Sequence, residues 1–317
     1  MTAWHLLEHH LALFTFWGAL LFHLLLPLPN TLSPWSIYQR LAKVIAQKVN
    51  QPHNSRQQNL ISGSMTWALF WFPSLVVLIA LSTLVSSPWL LDAALLWLSL
   101  GWRPLQQVSQ SLIASLAQAH KETSRRILAA KLNRQTESLS ENGLGKATAE
   151  LMILGYGREV VAVLFWYGCF GGIGAAMYRL TLTLARTWSP SRSEFFPFGT
   201  ASTNILALAD LIPLRLFALL CAFGKRGKQA FSGIFRQAKL WFLPGPGWLL
   251  CAIAHQYDLS LGGPAIYGDN KRQRPRIGGV RVPSAIELAQ LHRQLNWRLL
   301  IWLGLQSALF FALHTLI

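Results

Sequence analysis

The distribution of apolar residues divides the chain into long hydrophobic runs separated by basic segments. Five runs are long enough to cross about 30 Å of hydrocarbon at about 1.5 Å per residue. They cover residues 11–29, 66–86, 160–185, 203–223 and 298–316. A sixth run, 88–101, follows a Ser-Ser-Pro turn and is short for a span. The pattern predicts an all-α polytopic membrane protein with five to six apolar helices, no sheet, and one domain over residues 1–317.

The segments between these runs have the periodicity of amphipathic helices. Residues 104–132 and 284–297 repeat apolar side chains at helical spacing. Ser284, with Glu287 three residues later, forms a predicted capping box, so the second helix is expected to lead into the last span. Inside the third long run, GCFGGIG at 168–174 predicts close helix packing or a break between two half-helices.

Composition and charge favour a membrane protein over a nucleic-acid-binding protein. Hydrophobic residues make up 52% of the 317 residues and charged residues only 13%, although the net charge is +16. If all six runs cross, loops 30–65, 102–158 and 224–297 share one side and hold 23 Lys and Arg, against 2 opposite. With five crossings the split is 19 to 6. The six-span arrangement is favoured, with both termini outside and the basic loops in the cytoplasm of a bacterial inner membrane.

Two motifs near or inside apolar runs allow both functional and structural interpretations. HLLEH at 5–9 has the spacing of an inverted zinc-protease motif, but no third ligand is evident, and an interfacial helix end explains it as well. Asp210 and Arg215 lie inside an apolar run. They indicate either a functional interior or a helix at the interface with Arg215 reaching the head groups. The three cysteines lack metal-ligand spacing and are interpreted as packing residues.

The stretch LSLGGPAIYGDNKRQRPRIGG, residues 259–279, differs from the rest of the chain. Its Gly-Gly-Pro sequence at 262–264 predicts a rigid turn with exposed backbone N–H groups. The cluster Lys271, Arg272, Arg274 and Arg276 follows on the predicted cytoplasmic side. Turn and cluster are suited to an anion such as phosphate, or alternatively to anionic lipid head groups.

In the order and spacing of LSLGGPAIYG, RPRIGG, a capped helix and a final span, the chain resembles the CobD/CbiB family of cobalamin-biosynthesis membrane proteins. The resemblance implies an adenosylcobinamide-phosphate synthase, which joins adenosylcobyric acid to aminopropanol or its phosphate, with ATP and Mg²⁺. It implies corrinoid and amino-alcohol phosphate substrates, contact with membrane lipid and no nucleic acid. Self-association or association with other corrinoid-pathway proteins is a further expectation.

The resemblance also implies which residues form the site. The implied substrate- and phosphate-binding residues are Arg134, Arg179, Arg215, Gly262, Gly263, Pro264, Tyr267, Lys271, Arg272, Arg274 and Arg276. Several acidic positions of the family are apolar or basic here, including Leu154, Arg158 and Leu206. Glu150 and Asp210 are therefore the candidate catalytic carboxylates, and the metal ligands stay unassigned. The alternative is a non-catalytic accessory or regulatory membrane protein of the same superfamily, similar to AmpE.

Overall fold

Helices make up nearly all of the fold. The structure, a computed structural model, describes residues 11–26, 33–267 and 270–316, so the motif at 5–9 lies outside the described residues. The helices within those ranges are α1 Leu11–Leu25, α2 Pro34–Val49, α3 Arg56–Leu84, α4 Pro88–Ser99, α5 Trp102–Ala117, α6 Lys121–Ala129, α7 Glu141–Gly155, α8 Ala162–Thr187, α9 Thr200–Ala222, α10 Gly227–Gln237, α11 Pro244–Gln256 and α12 Ala285–Leu316.

Four helical segments in the described part of the chain are long and apolar enough to cross a membrane. They are Arg56–Leu84, Glu141–Thr187, Thr200–Ala222 and Ala285–Ala312. The expected number of five to six exceeds the four found among the described residues. The described residues of the first apolar run form a helix of 15 residues, and the run at 88–101 forms one of 12. At about 1.5 Å per residue, neither covers the hydrocarbon thickness.

The second of these segments, Glu141–Thr187, has 47 residues and contains a local break in its helical backbone. A π-helical turn, Tyr156–Val161, joins α7 to α8. The predicted break is confirmed at Gly171, where φ is +62° and ψ is −156°. The backbone N–H of Gly172 donates to Asp92 Oδ1 over 2.8 Å. Asp92 of α4 therefore supplies an acceptor for an amide that the break has released, as an apolar environment requires.

The main core lies where α7, the π-helical turn and α8 pack against α9, α11 and α12. Tyr156, Leu164, Phe217, Leu250 and Leu299 are fully buried there. By contrast, the most apolar part of α3 is almost entirely exposed, so that helix lies at the periphery. Cys221 and Cys251 are buried and unbonded, in agreement with the packing interpretation, whereas the free Cys169 is exposed.

Both amphipathic segments are helical as predicted, but the first of them forms two helices instead of one. The helix expected over 104–132 is split into α5 and α6 by a turn in which Ala119 has a positive φ of 55°. At the other segment, Glu287 Oε2 accepts from the backbone N–H of Ser284 over 3.1 Å, while Ser284 Oγ accepts from Ile286 N over 3.3 Å. This arrangement forms half of the predicted capping box, and α12 continues without interruption into the last apolar run.

The absence of sheet was predicted wrongly for the stretch 259–279. Strand β1, Ser260–Gly262, pairs antiparallel with β4, Arg276–Gly278. Inside that pair, β2, Ala265–Tyr267, pairs with β3, Asn270–Arg272. Each strand has only three residues, which is too short for a period-two pattern to be recognised.

Candidate functional site

The Gly-Gly-Pro turn is held in a conformation that favours glycine. The φ values of Gly262 and Gly263 are +74° and +97°. A Cβ atom on Gly262 would lie 2.0 Å from the carbonyl oxygen of Pro275, whereas one on Gly263 would meet nothing within 4 Å. The turn is therefore packed tightly against residue 275 at its first glycine and open at its second.

A buried carboxylate ties this turn to α7. Glu150 Oε1 accepts from the backbone N–H of Gly262 over 3.0 Å. Arg274 donates to both carboxylate oxygens, with Nη1 to Oε2 at 2.9 Å and Nη2 to Oε1 at 3.2 Å. Arg134 Nη2 lies 3.3 Å from Oε2. Because both oxygens are engaged, Glu150 acts as the shared counter-ion of two guanidinium groups.

The pKa values of the two arginines are shifted in opposite directions. Burial lowers the pKa of Arg134, although Glu150 opposes that shift. Burial also acts to lower the pKa of Arg274, but attraction to Glu150, the hydrogen bonds to Glu150 and the contact with Tyr267 together outweigh it, so this pKa is raised. Arginine stays protonated at neutral pH in proteins. The cluster therefore carries two positive charges and one negative charge.

A cavity of about 320 Å³, called the small cavity here, opens between the turn and the beginning of α7. Ser140 caps that helix, its Oγ accepting from Gly143 N over 3.3 Å. No acidic residue is among the described residues that line the cavity. The cations and the α7 N-terminus, which favours negative charge, give the small cavity a lining suited to an anion. The cationic lining residues are Arg134, Lys146, Lys271, Arg274 and Arg276.

A second space of about 910 Å³, called the large cleft here, lies beside the small cavity. Residues 129–135 and 192–194 form two of its sides, and the beginning of α2 and the last turns of α8 contribute the others. Arg134 and Gln135 line both spaces. The predicted site residue Arg179 lies in this cleft, where its Nη1 is 3.7 Å from Glu159 Oε2.

Asp210 belongs to a different cluster, inside the apolar helices. Its side chain is 0% exposed. Arg158 Nε donates to Asp210 Oδ2 over 2.7 Å, and the Tyr178 hydroxyl donates to Oδ1 over 2.7 Å. Asp210 therefore lies in the protein interior with a cation beside it, and the expected position of Arg215 at the head groups stays a prediction. Arg158 was not predicted as the partner, although a carboxylate in an apolar helix needs a cation and Arg158 lies two residues before an apolar run.

The structure brings most, but not all, of the predicted site residues together. Arg272 lies over the ring of Tyr267 at 5.8 Å, and neither lines the small cavity. Arg215 lies over the ring of Trp248 at 4.9 Å, away from the cavity lining. The predicted residues that do line the small cavity are Arg134, Gly262, Gly263, Pro264, Lys271, Arg274 and Arg276.

The α7 residues that line the small cavity were not among the predicted site residues. Lys146 lines the small cavity, and its Nζ donates to Ser260 Oγ over 3.0 Å. Ser140, Asn142 and Gly143 add the first turn of the helix. The signal in the sequence was the cap at Ser140, which marks a helix N-terminus suited to anions.

The arrangement does not fit a resident magnesium site. The described residues contain no group of three or more His, Cys, Asp or Glu side chains that could hold a metal ion. Mg²⁺ bound with phosphates usually takes one or two carboxylates. Glu150 is the carboxylate next to the small cavity, and both of its oxygens already accept hydrogen bonds from Gly262 and Arg274.

These features define a helical protein with four described helices long and apolar enough to span a membrane, and with a cation-lined cavity beside the start of one helix. The family model described as CobD/Cbib protein matches residues 16–297, so the chain belongs to the CobD/Cbib family. The cobalamin biosynthesis protein CobD of Stutzerimonas stutzeri is 32% identical over 268 residues, which cover 84% of this chain and 88% of that protein.

A relative with the same name in Chromobacterium violaceum is 28% identical over 248 residues, covering 78% of this chain and 80% of that protein. No solved structure matches the chain. The resemblance noted in the sequence is thereby confirmed at the level of the family.

Proposed function

We propose that this chain is a cobalamin-biosynthesis enzyme with the activity of adenosylcobinamide-phosphate synthase. It would attach aminopropanol, or its phosphate, to adenosylcobyric acid with consumption of ATP. The observation that carries the proposal is the small cavity, which five cationic side chains line and which no described acidic residue enters. Such a lining suits the phosphate of a nucleotide or of an amino alcohol. Family membership supplies the reaction class.

In this proposal the residues of the cavity act by charge and position. Amide formation joins an amine to a carboxyl group. The oxygen displaced from the carboxyl group is taken up by the phosphate that is cleaved from ATP. Lys271 and Arg276 would bind phosphate oxygens and offset the negative charge of the transferred group. Glu150 would act as a positioning residue, because it holds Arg134 and Arg274 beside the Gly-Gly-Pro turn. The catalytic roles assigned to Glu150 and Asp210 from the sequence stay predictions.

Two arginines four residues apart provide a matched test of the anion site. Arg276→Ala removes a cation that lines the small cavity, and Arg272→Ala removes one that does not. A charge-assisted contact contributes about 1.5–3 kcal/mol, so Arg276→Ala is expected to weaken ATP binding by roughly ten- to a hundred-fold. Arg272→Ala should bind like the wild type. Equilibrium binding of labelled ATP to the purified proteins measures both. Equal small losses in both variants would instead indicate a lipid-contacting surface.

The activity itself is tested by complementation of a bacterial strain that lacks the synthase, with cobyric acid as the supplied precursor. Growth is expected with the wild-type chain and not with Arg276→Ala. The second candidate is a non-catalytic accessory protein. It is favoured by the engaged carboxylate of Glu150 and by the lack of a metal-holding group in the described ranges. Failed complementation together with no measurable ATP binding would leave that candidate standing.

We propose that the chain lies in the bacterial inner membrane with its basic loops in the cytoplasm, where ATP is available. The charge distribution supports this orientation. Single cysteines placed at Lys121 and Lys271, in a background without the native cysteines, are expected to be protected from a membrane-impermeant reagent in intact cells and labelled in lysed cells. Labelling of both positions from outside would contradict the orientation.

A further inference from the structure

The wall between the small cavity and the large cleft is a short, well-anchored segment. Thr136 Oγ1 donates to the carbonyl oxygen of Arg125 in α6 over 3.1 Å. The backbone N–H of Gln135 donates to the carbonyl oxygen of Ile266 in β2 over 2.8 Å. The segment is thus fixed at both sides, and Arg134 is held between the two spaces.

In this position, the Arg134 guanidinium has N–H donors without a hydrogen-bond partner in the described part of the chain. Its side chain is only 6% exposed, and its Nη2 lies 3.3 Å from Glu150 Oε2. Its Nε and Nη2 nevertheless have no hydrogen-bond partner among the residues that the structure describes. A guanidinium has five N–H donors, and leaving buried donors unsatisfied costs free energy. Because Arg134 lines both spaces, its guanidinium lies next to a ligand bound in either of them.

The lining of the large cleft differs from that of the small cavity in size and in chemistry. Its volume is about 910 Å³ against about 320 Å³. Cations exceed carboxylates, with Lys43, Lys131, Arg134, Arg179, Arg186 and Arg192 against Glu137 and Glu194. Neutral hydrogen-bonding side chains complete it, namely Ser33, Ser36, Gln39, Asn133, Gln135, Thr183 and Ser193.

This combination points to a large ligand with few negative charges and many amides. Arginines pair with carboxylate oxygens, whereas amide and hydroxyl side chains exchange hydrogen bonds with neutral amide groups. A volume near the upper end of the usual range for ligand sites, about 300–1,000 Å³, suits a bulky molecule. The small cavity, which has about a third of that volume and no acidic residue among its described lining, suits a phosphate group.

We propose that the large cleft binds the bulky, carboxylate-bearing, amide-rich substrate, that the small cavity binds the phosphate-bearing substrate, and that Arg134 contacts both. The assignment rests on the proposed function, in which the bulky substrate is the corrinoid acid. It makes Arg134 the residue that brings the reacting carboxyl group next to the phosphate.

The test uses the full chain in detergent micelles and two separate probes, cobyric acid and ATP. Lys43 and Lys48 are both exposed on α2, but only Lys43 lines the large cleft. Lys43→Ala is expected to weaken cobyric acid binding by about ten-fold and to leave ATP binding unchanged, because only the first ligand uses this charge. Lys48→Ala should change neither. Arg276→Ala should weaken ATP binding and leave cobyric acid binding unchanged.

Arg134→Gln is expected to weaken the binding of both probes, and thermal unfolding of the purified variant shows whether it is folded. The comparison of Lys43→Ala with Lys48→Ala tests the two-compartment assignment even if Arg134→Gln does not fold. Displacement of cobyric acid by ATP, or equal losses in Lys43→Ala and Lys48→Ala, would overturn the two-compartment assignment. ATP binding without cobyric acid binding would overturn it and leave the phosphate site intact. Binding of neither probe would remove the proposed function as well.

Discussion

Glu150→Gln is expected to destabilise the protein strongly and to disrupt the anion site. The change keeps the size of the side chain but removes the charge that Arg134 and Arg274 share. Removing one partner of a buried ion pair typically costs about 3–5 kcal/mol. The two guanidinium groups would then repel each other beside the Gly-Gly-Pro turn. The melting temperature in detergent should fall by roughly 5–10 °C, and ATP binding should be lost in the same preparation.

The matched control is Glu141→Gln on the same helix. Glu141 is 66% exposed and pairs with Lys121 at 3.2 Å, so the pair lies at the surface. An exposed pair contributes about 0–1 kcal/mol, and the control should melt close to the wild type. Unchanged melting of Glu150→Gln would show that the cluster does not hold the turn.

Asp210→Leu is expected to have the second large effect, because it leaves Arg158 without its counter-ion among apolar helices. Arg158 Nε now donates to Asp210 Oδ2 over 2.7 Å. Loss of the partner of a buried charge typically costs about 3–5 kcal/mol. A lower yield in the membrane fraction and a lower melting temperature of the purified protein should both report it.

A double replacement separates charge from packing at this position. In the variant Asp210→Leu with Arg158→Leu no charge is left unpaired, and apolar replacement of a whole buried pair is often neutral. The double variant should therefore recover most of the stability that the single variant loses. Tyr178→Phe, which removes one hydrogen bond to the same carboxylate, should cost about 1 kcal/mol. A double variant less stable than Asp210→Leu would contradict the ion-pair explanation.

The sequence by itself determined the helical class, the family and the basic turn at 262–276, and it left a helix break within 168–174 as one of two interpretations. Each of these is encoded locally. Apolar runs of sufficient length predict spans, glycines within an apolar run weaken a helix, and a Gly-Gly-Pro block with nearby cations predicts an anion-binding turn. The expected number of spans exceeds the four found among the described residues. The run at 88–101, which was counted as a sixth span, forms a helix of only 12 residues.

Only the tertiary structure decided which charges meet. Glu150 and Arg274 are 124 residues apart, and Arg158 and Asp210 are 52 apart, so no local pattern pairs them. The same holds for Arg134, which reaches the small cavity and the large cleft because Gln135 is bonded to Ile266 across the fold. A charge excluded from water must find a partner, but which partner depends on how the helices pack.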